Sequence, residues 1–197
     1  MIAIDPVQNT ERDNYKLLIG SIIPRPIAFV TTLSGDGVLN GAPFSFFNIV
    51  SSNPPMISLS IQHAGGRHKD TARNILHNKE FVVHIVDRQN VGQINITAAP
   101  LPPEHSEIAL AGMTPADSLL IKVPGVAEAK VRMECVLEHY VELPNNDLLI
   151  GKVVQFHINE DILEQGRIDP AKLEAVSRLA GNDYAGIGDI FTIERPV

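Results

Sequence analysis

Cysteine is almost absent from this sequence, with Cys135 the single example in 197 residues. A lone thiol cannot close an intramolecular disulfide and has no cysteine partner for a zinc site. Cys135 falls on the apolar parity of an alternating segment and reads as a buried structural thiol. A basic surplus is missing too. The net charge is −7, and no basic stripe or long run of like charge appears, which excludes the electrostatic footprint of a nucleic-acid-binding protein. No apolar run approaches the roughly 20 residues needed to span a bilayer. The opening MIAIDPVQNTERDN lacks both the basic and the apolar region of a signal peptide, so a cytoplasmic protein is expected. The seven histidines show no HExxH or other metal spacing. No Ser-His-Asp or Cys-His set can be assembled, and Glu160-Asp161 reads as a solvated pair. Repeats and low-complexity segments are also lacking.

What is present is strand patterning. Hydrophobic residues make up 44% of the chain and charged residues 20%, enough apolar material for a buried core. The length predicts a single domain over residues 1–197. Residues 22–33 read as a strand entered through Pro24-Arg25-Pro26, where two prolines hold Arg25 on a stiff, extended backbone. Ser34-Gly35-Asp36-Gly37 is a hairpin signal, and a second strand should run from Val38 through Phe44 to Val50. In residues 56–62, Ile57, Leu59 and Ile61 alternate with Ser58, Ser60 and Gln62. A short helix is expected from Asp70, with Asp70 or Thr71 as its cap. A strand over 80–87 follows, then short helical or irregular pieces near 90–98 and 104–111. Val131, Met133, Cys135, Leu137, Val141 and Leu143 share one face of a long strand, opposite Arg132, Glu134, Glu138 and Glu142. Asn145-Asn146-Asp147 turns that strand into another over 148–159. Pro170 should open a helix reaching Leu179, and a last short strand is expected over 190–194. About seven strands in hairpin order make a mainly β, antiparallel barrel rather than alternating βαβ units.

Two stretches carry candidate chemistry. Residues 21–60 combine apolar strands with short polar side chains, notably Asn40, Ser45, Asn48, Ser51 and Ser52. Such a surface suits a planar ligand with polar edges; turn chemistry explains Ser51-Ser52-Asn53-Pro54 equally well. Phe44, Phe46 and Phe47 can flank an aromatic ring or pack in the core. The second stretch is Gly65-Gly66-Arg67-His68-Lys69-Asp70-Thr71. Flexible backbone, two cations and a helix start form a candidate anion site, although a solvated loop uses the same residues. The spacing is not that of a P-loop.

The motifs taken together are similar to the flavin reductase-like, FMN-binding split-barrel family. They are PRPIAFVTT (24–32), Asn40 with Ala42-Pro43-Phe44-Ser45-Phe46-Phe47, Ser51 with Pro54-Pro55, and Lys69-Asp70-Thr71 with Asn74. Glu134-Cys135, Ile150-Gly151-Lys152-Val153 and residues 178–184 continue the match in order along nearly the whole chain. The resemblance implies a Greek-key split barrel, a homodimer, and FMN bound near the subunit interface in an oxidoreductase. By position it implies Arg25 near the ring or ribityl chain, with Asn40, Ser45, Phe46 and Ser60 along the flavin. Lys69, Asp70 and Thr71, helped by Arg67, would hold the phosphate. Many NAD(P)H-dependent members carry Gly-Asp-His at the turn before the IGKV-like strand; here that turn is Pro144-Asn145-Asn146-Asp147-Leu148, without histidine. The chain thus looks closer to the flavoredoxin-like and ferric-reductase-like branch. NAD(P)H and a reduced carrier protein both remain open as electron donors, and a flavoredoxin-like electron carrier is the alternative function.

Overall fold

The computed structural model describes residues 1–196. Its central sheet has seven antiparallel strands: β1 (Ala28–Leu33), β2 (Leu39–Phe44), β3 (Phe47–Ser52), β4 (Pro55–Gln62), β5 (Glu80–Ile85), β6 (Val131–Glu142) and β7 (Asn146–Ile158). Their spatial order is β2-β1-β5-β6-β7-β4-β3. The two edge strands, β2 and β3, are joined by only Ser45 and Phe46. A connection that short forces the sheet to curl until its edges meet, giving the expected mainly β split barrel. Closure leaves few unpaired strand edges to solvent.

The barrel interior is filled from alternating positions. Ile57, Leu59 and Ile61 of β4 are buried, and they meet Val30, Phe81, Val83, Cys135 and Leu149 in one cluster. Burial pushes the Cys135 thiol well above its usual pKa, so it is an inert core residue. Helix α2 (Asp70–Asn78) closes one side of the barrel by burying Ala72 and Ile75 in the same cluster. A second cluster joins Phe29 to Ile94 of α3 (Val91–Ile96) and Ile108 of α4 (Glu107–Leu110). Close packing leaves no room at Gly151, where a Cβ would overlap the Phe81 ring.

Several expectations from the sequence are corrected. The segment expected as one strand over 38–50 breaks at Ser45–Phe46, because the chain must pass from one sheet edge to the other. The N-terminal region contains a helix, α1 (Glu11–Ser21), capped by Thr10, whose Oγ1 accepts from Asp13 N at 3.2 Å. Only Ile19 of α1 is buried, so no apolar stripe announces it. The helix from Pro170 ends at Leu173 as α5. After it, Val176–Arg178 pairs with both Arg25–Pro26 and Tyr184–Gly186 in a small separate sheet. Residues 190–194, expected as a strand, carry no regular structure.

The long hairpin departs from simple alternation. Pairing passes from Ile150 opposite His139 to Gly151 opposite Leu137, leaving Glu138 as a bulge. Beyond the bulge the parity inverts: Tyr140 packs against the core, while Val141 and Leu143 are exposed. Glu134, expected to face outward, is fully buried. Its carboxylate accepts from the backbone N–H groups of Leu119, Leu120 and Ile121 and contacts His157 Nε2 at 2.6 Å. Burial alone would raise its pKa, but these bonds outweigh that penalty and hold it below the usual value.

His84, on β5, is also fully buried. Its Nδ1 lies 3.0 Å from the Phe29 carbonyl and its Nε2 accepts from Val126 N at 3.0 Å, which fixes a neutral tautomer. Burial foremost, with the charges of Arg132 and His157, lowers its pKa from 6.5 to about 4. The unfolded chain therefore takes up this proton first as pH falls. Stability from this group is complete above pH 6.5 and is lost between pH 6.5 and about 4. The loss is on the order of 3 kcal/mol. Urea denaturation across that range should show the decline, and His84→Asn should flatten it while lowering stability at neutral pH.

Candidate functional site

A cleft of about 570 Å³ opens between β2, the loop leading into α2, and residues 97–101. Its size lies within the roughly 300–1,000 Å³ typical of small-molecule sites. The start of α2 faces it. Lys69 occupies the cap position with extended backbone (φ −67°, ψ 158°) and makes no side-chain cap hydrogen bond. The expected caps, Asp70 and Thr71, lie inside the first turn instead. First-turn N–H groups have no intrahelical acceptor, and the helix dipole adds partial positive charge there. Arg67, Lys69 and Arg73 supply full charges along the same wall. The arrangement has the donors and charge that suit an anion.

Side chains already engaged define what each residue can offer. The Asp70 carboxylate pairs with Arg73 at 2.8 Å. The Thr71 hydroxyl donates to Asn40 Oδ1 at 3.0 Å. Towards an anion, both residues therefore have their backbone N–H groups available rather than their side chains. Asn40 Oδ1 also accepts from Thr32 Oγ1 at 3.3 Å, and Thr32 Oγ1 accepts from Asn74 Nδ2 at 3.1 Å. On its other side, Asn40 Nδ2 donates to Glu107 Oε2 at 3.0 Å, which also accepts from Gly41 N at 3.3 Å. Burial raises the Glu107 pKa, and the nearby Asp70 charge adds to it. Hydrogen bonds from its own amide, Gly41 and Asn40 oppose the shift without cancelling it.

Asn40, Arg67, Lys69, Asp70 and Thr71, all singled out in the sequence, thus line one cleft. Ser45 and Phe46 lie at the strand break just beyond the cleft residue Phe44. Ser60 lies on β4, where its Oγ accepts from Asn146 Nδ2 at 3.0 Å. Arg25 is elsewhere. Its buried guanidinium donates to the carbonyls of Ile19, Ile22 and Leu179 at 2.6–2.8 Å, tying α1 to the chain after Arg178. The stiff Pro-Arg-Pro backbone presents that clamp. Sequence reasoning missed Glu107, Arg73 and the 97–101 wall of the cleft. Arg73 sits one helical turn after Lys69 and could have been found by periodicity; Glu107 is 67 residues from Asn40 and carried no local signal.

A family model described as a flavin reductase like domain matches residues 19–172. The chain belongs to the flavin reductase-like family. Membership supports a flavin cofactor and an oxidoreductase activity in general terms. The protein YwrF of Bacillus subtilis (strain 168) is 50% identical over 197 residues, covering 96% of each chain. Among solved structures, nitrilotriacetate monooxygenase component B from Bacillus cereus is 56% identical, with a TM-score of 0.97 and 98% of each chain covered. The Pseudomonas fluorescens 2-nitrobenzoate 2-nitroreductase NbaA is 28% identical, with a TM-score of 0.91 and 99% and 96% covered. Flavoredoxin of Desulfovibrio vulgaris (Miyazaki F), at 24% identity and a TM-score of 0.79 over 87% of this chain and 91% of that one, shares the fold. Among the described residues, no helix is long and apolar enough to cross a membrane.

In this flavin reductase-like chain, Asn40 holds the cleft wall together. Asn40→Ala should leave the buried Thr71 hydroxyl without its acceptor and the Glu107 carboxylate with only the Gly41 amide and its own, costing about 1–3 kcal/mol. Chemical denaturation checks the value, and a loss below 0.5 kcal/mol (about the effect of an ordinary surface change) would contradict the role given to this network.

Proposed function

We propose that this chain is an FMN-dependent oxidoreductase, a single domain over residues 1–197 that passes electrons from NAD(P)H or a reduced protein to a small acceptor. The observation that carries this reading is the uncapped start of α2, with Arg67, Lys69 and Arg73 along one wall of a cleft of flavin-compatible size. A phosphate placed there meets the first-turn N–H groups and charge-assisted donors. Asp70 contributes its backbone rather than its carboxylate, whose charge is already paired with Arg73. Bound FMN would supply the hydride and electron chemistry, with the protein binding, orienting and shielding it. Asn40, fixed by its own hydrogen bonds, shapes the wall beside it.

The fit favours FMN because the anion site is a single helix start. FMN added to purified protein should be bound with quenched fluorescence; absence of binding overturns the proposal. Arg67→Ala with Lys69→Ala removes two charged donors on exposed side chains. It should weaken FMN about ten- to a hundredfold, equivalent to losing one or two charge-assisted hydrogen bonds. Riboflavin, which lacks the phosphate, should bind both forms alike. Equal loss for both ligands would place the phosphate elsewhere.

The alternative reading is a flavoredoxin-like electron carrier, favoured by the turn at 144–148, which has no histidine. Anaerobic mixing with NADH or NADPH separates the two. Rapid bleaching of the flavin supports the reductase, and slow or absent bleaching supports the carrier. The Bacillus cereus neighbour bears the name of one component of a monooxygenase, which supports an acceptor outside this chain. A homodimer fits the exposed apolar side chains Ile22, Ile23, Ile49 and Val50. Sedimentation should find two copies; a stable monomer with FMN bound contradicts that part of the reading.

A further inference from the structure

The segment His63-Ala64-Gly65-Gly66-Arg67-His68 is a tight reversal with a histidine at each end. Gly65 and Gly66 both have positive φ, 57° and 75°, as a two-residue type I′ turn requires. Ala64 N donates to Arg67 O at 2.9 Å and Arg67 N to Ala64 O at 3.2 Å, closing the turn. His63 and His68 are then the next facing pair, with ring centroids 5.2 Å apart and planes at 83°. β7 brings a third group to them. Asp147 stands opposite Ile61 of β4 and is fully buried.

Three ligand atoms converge there. His68 Nδ1 lies 2.9 Å from Asp147 Oδ2, and His63 Nε2 lies 3.2 Å from Asp147 Oδ1. Atoms bound to one ion at about 2.0–2.2 Å stand about 3–3.5 Å from one another; both imidazole nitrogens stand that far from Asp147, and the three ligand atoms lie within 4.8 Å of one another. Tyr140 donates its hydroxyl to Asp147 Oδ1 at 2.9 Å, the orienting bond that a ligating carboxylate usually receives. A hydrogen bond between His68 and Asp147 accounts for two of the three groups without an ion. It leaves His63 unexplained. That side chain is nine-tenths buried, at 10% exposure, and its Nε2 stands 3.2 Å from Asp147 Oδ1 without the geometry of a hydrogen bond. An unpaired polar atom in such a position costs about 1–3 kcal/mol.

We propose that His63, His68 and Asp147 form a binding site for one divalent first-row transition ion, of the class served by two imidazoles and a carboxylate. The two imidazoles suit zinc, cobalt, nickel or iron better than magnesium or calcium. Three protein ligands leave further positions for water or an exogenous ligand, the pattern of an open rather than a closed site. His68 is 41% exposed and also lines the cleft, so the ion stands at the cleft edge. The bulge at Glu138, which turns Tyr140 inward, is what delivers the carboxylate's orienting hydroxyl.

The test uses untagged, chelator-treated full-length protein with no flavin added, so its outcome is independent of flavin binding. Titration with zinc chloride in a calorimeter should give one ion per chain, and cobalt chloride should produce d–d absorption bands. His63→Gln and His68→Gln should each weaken zinc at least about a hundredfold, as loss of a ligand should exceed the 10–100-fold usual for outer-shell changes. Zinc should raise the thermal midpoint of the wild type and leave both variants unmoved. His68 is half exposed, so His68→Gln is expected to fold even if His63→Gln does not. Absence of zinc binding below 100 μM, or binding of equal strength in His68→Gln, overturns the proposal.

Discussion

The Asn40 side chain is the constraint on which the cleft depends. Its two polar ends are bonded in opposite directions, the carbonyl to Thr71 and Thr32 and the amide to Glu107. Those partners belong to the start of α2, to β1 and to α4, elements distant in sequence. One amide on an edge strand therefore positions the helix start whose free N–H groups face the cleft. It also holds Glu107, whose burial would otherwise be poorly compensated. Satisfied buried polar networks of this kind rigidify a site because every member loses if one moves.

Barrel closure puts Asn40 where that network can form. β2 and β3 are edge strands of the sheet order yet neighbours in sequence, and the curl that unites them turns β2 towards α2. The hairpin from β4 into α2 then returns the chain beside β7. Both the anion site and the histidine pair grow from this one loop, since Gly65-Gly66 reverses it and Lys69 ends it. A longer or less sharply turned loop would separate His63 from His68 and move the cations away from the helix start.

Much of this was legible in the sequence, and the failures have physical causes. Alternation in β4 and the hairpin at 34–37 were readable because each depends on neighbours only. The Arg67–Thr71 stretch could be picked out because glycine, cations and a helix start are local signals, and it lines the cleft. The bulge at Glu138 was not, because one extra residue inverts parity without changing composition; Tyr140 and Val141 exchange faces as a result. Glu134 looked like an outward charge and is buried, since its acceptors are satisfied by amides 13 to 15 residues away. Arg25 drew notice for its rigid setting, and the geometry gives that rigidity a structural task. Helix α1 did carry a capping signal, Thr10 with Asp13, but its missing apolar stripe concealed it.

Polar groups away from the cleft and those around it differ in how completely they are bonded. Glu134 receives three amides and an imidazole, and both nitrogens of His84 are engaged. Arg25 Nε, Asp87 Oδ2 and Glu128 Oε2 lack partners, but each sits on a group whose other polar atoms are bonded. His63 Nε2 has a 3.2 Å contact with Asp147 Oδ1 that lacks hydrogen-bond geometry, and the start of α2, like that of α3, has no side-chain cap. Residues 63–71 bring these two features together within one short loop. Their concentration in residues 63–71 suits groups that arrive from outside the chain. An anion at the helix start and a cation between the histidines are complementary in charge, and they would meet the same loop from opposite ends.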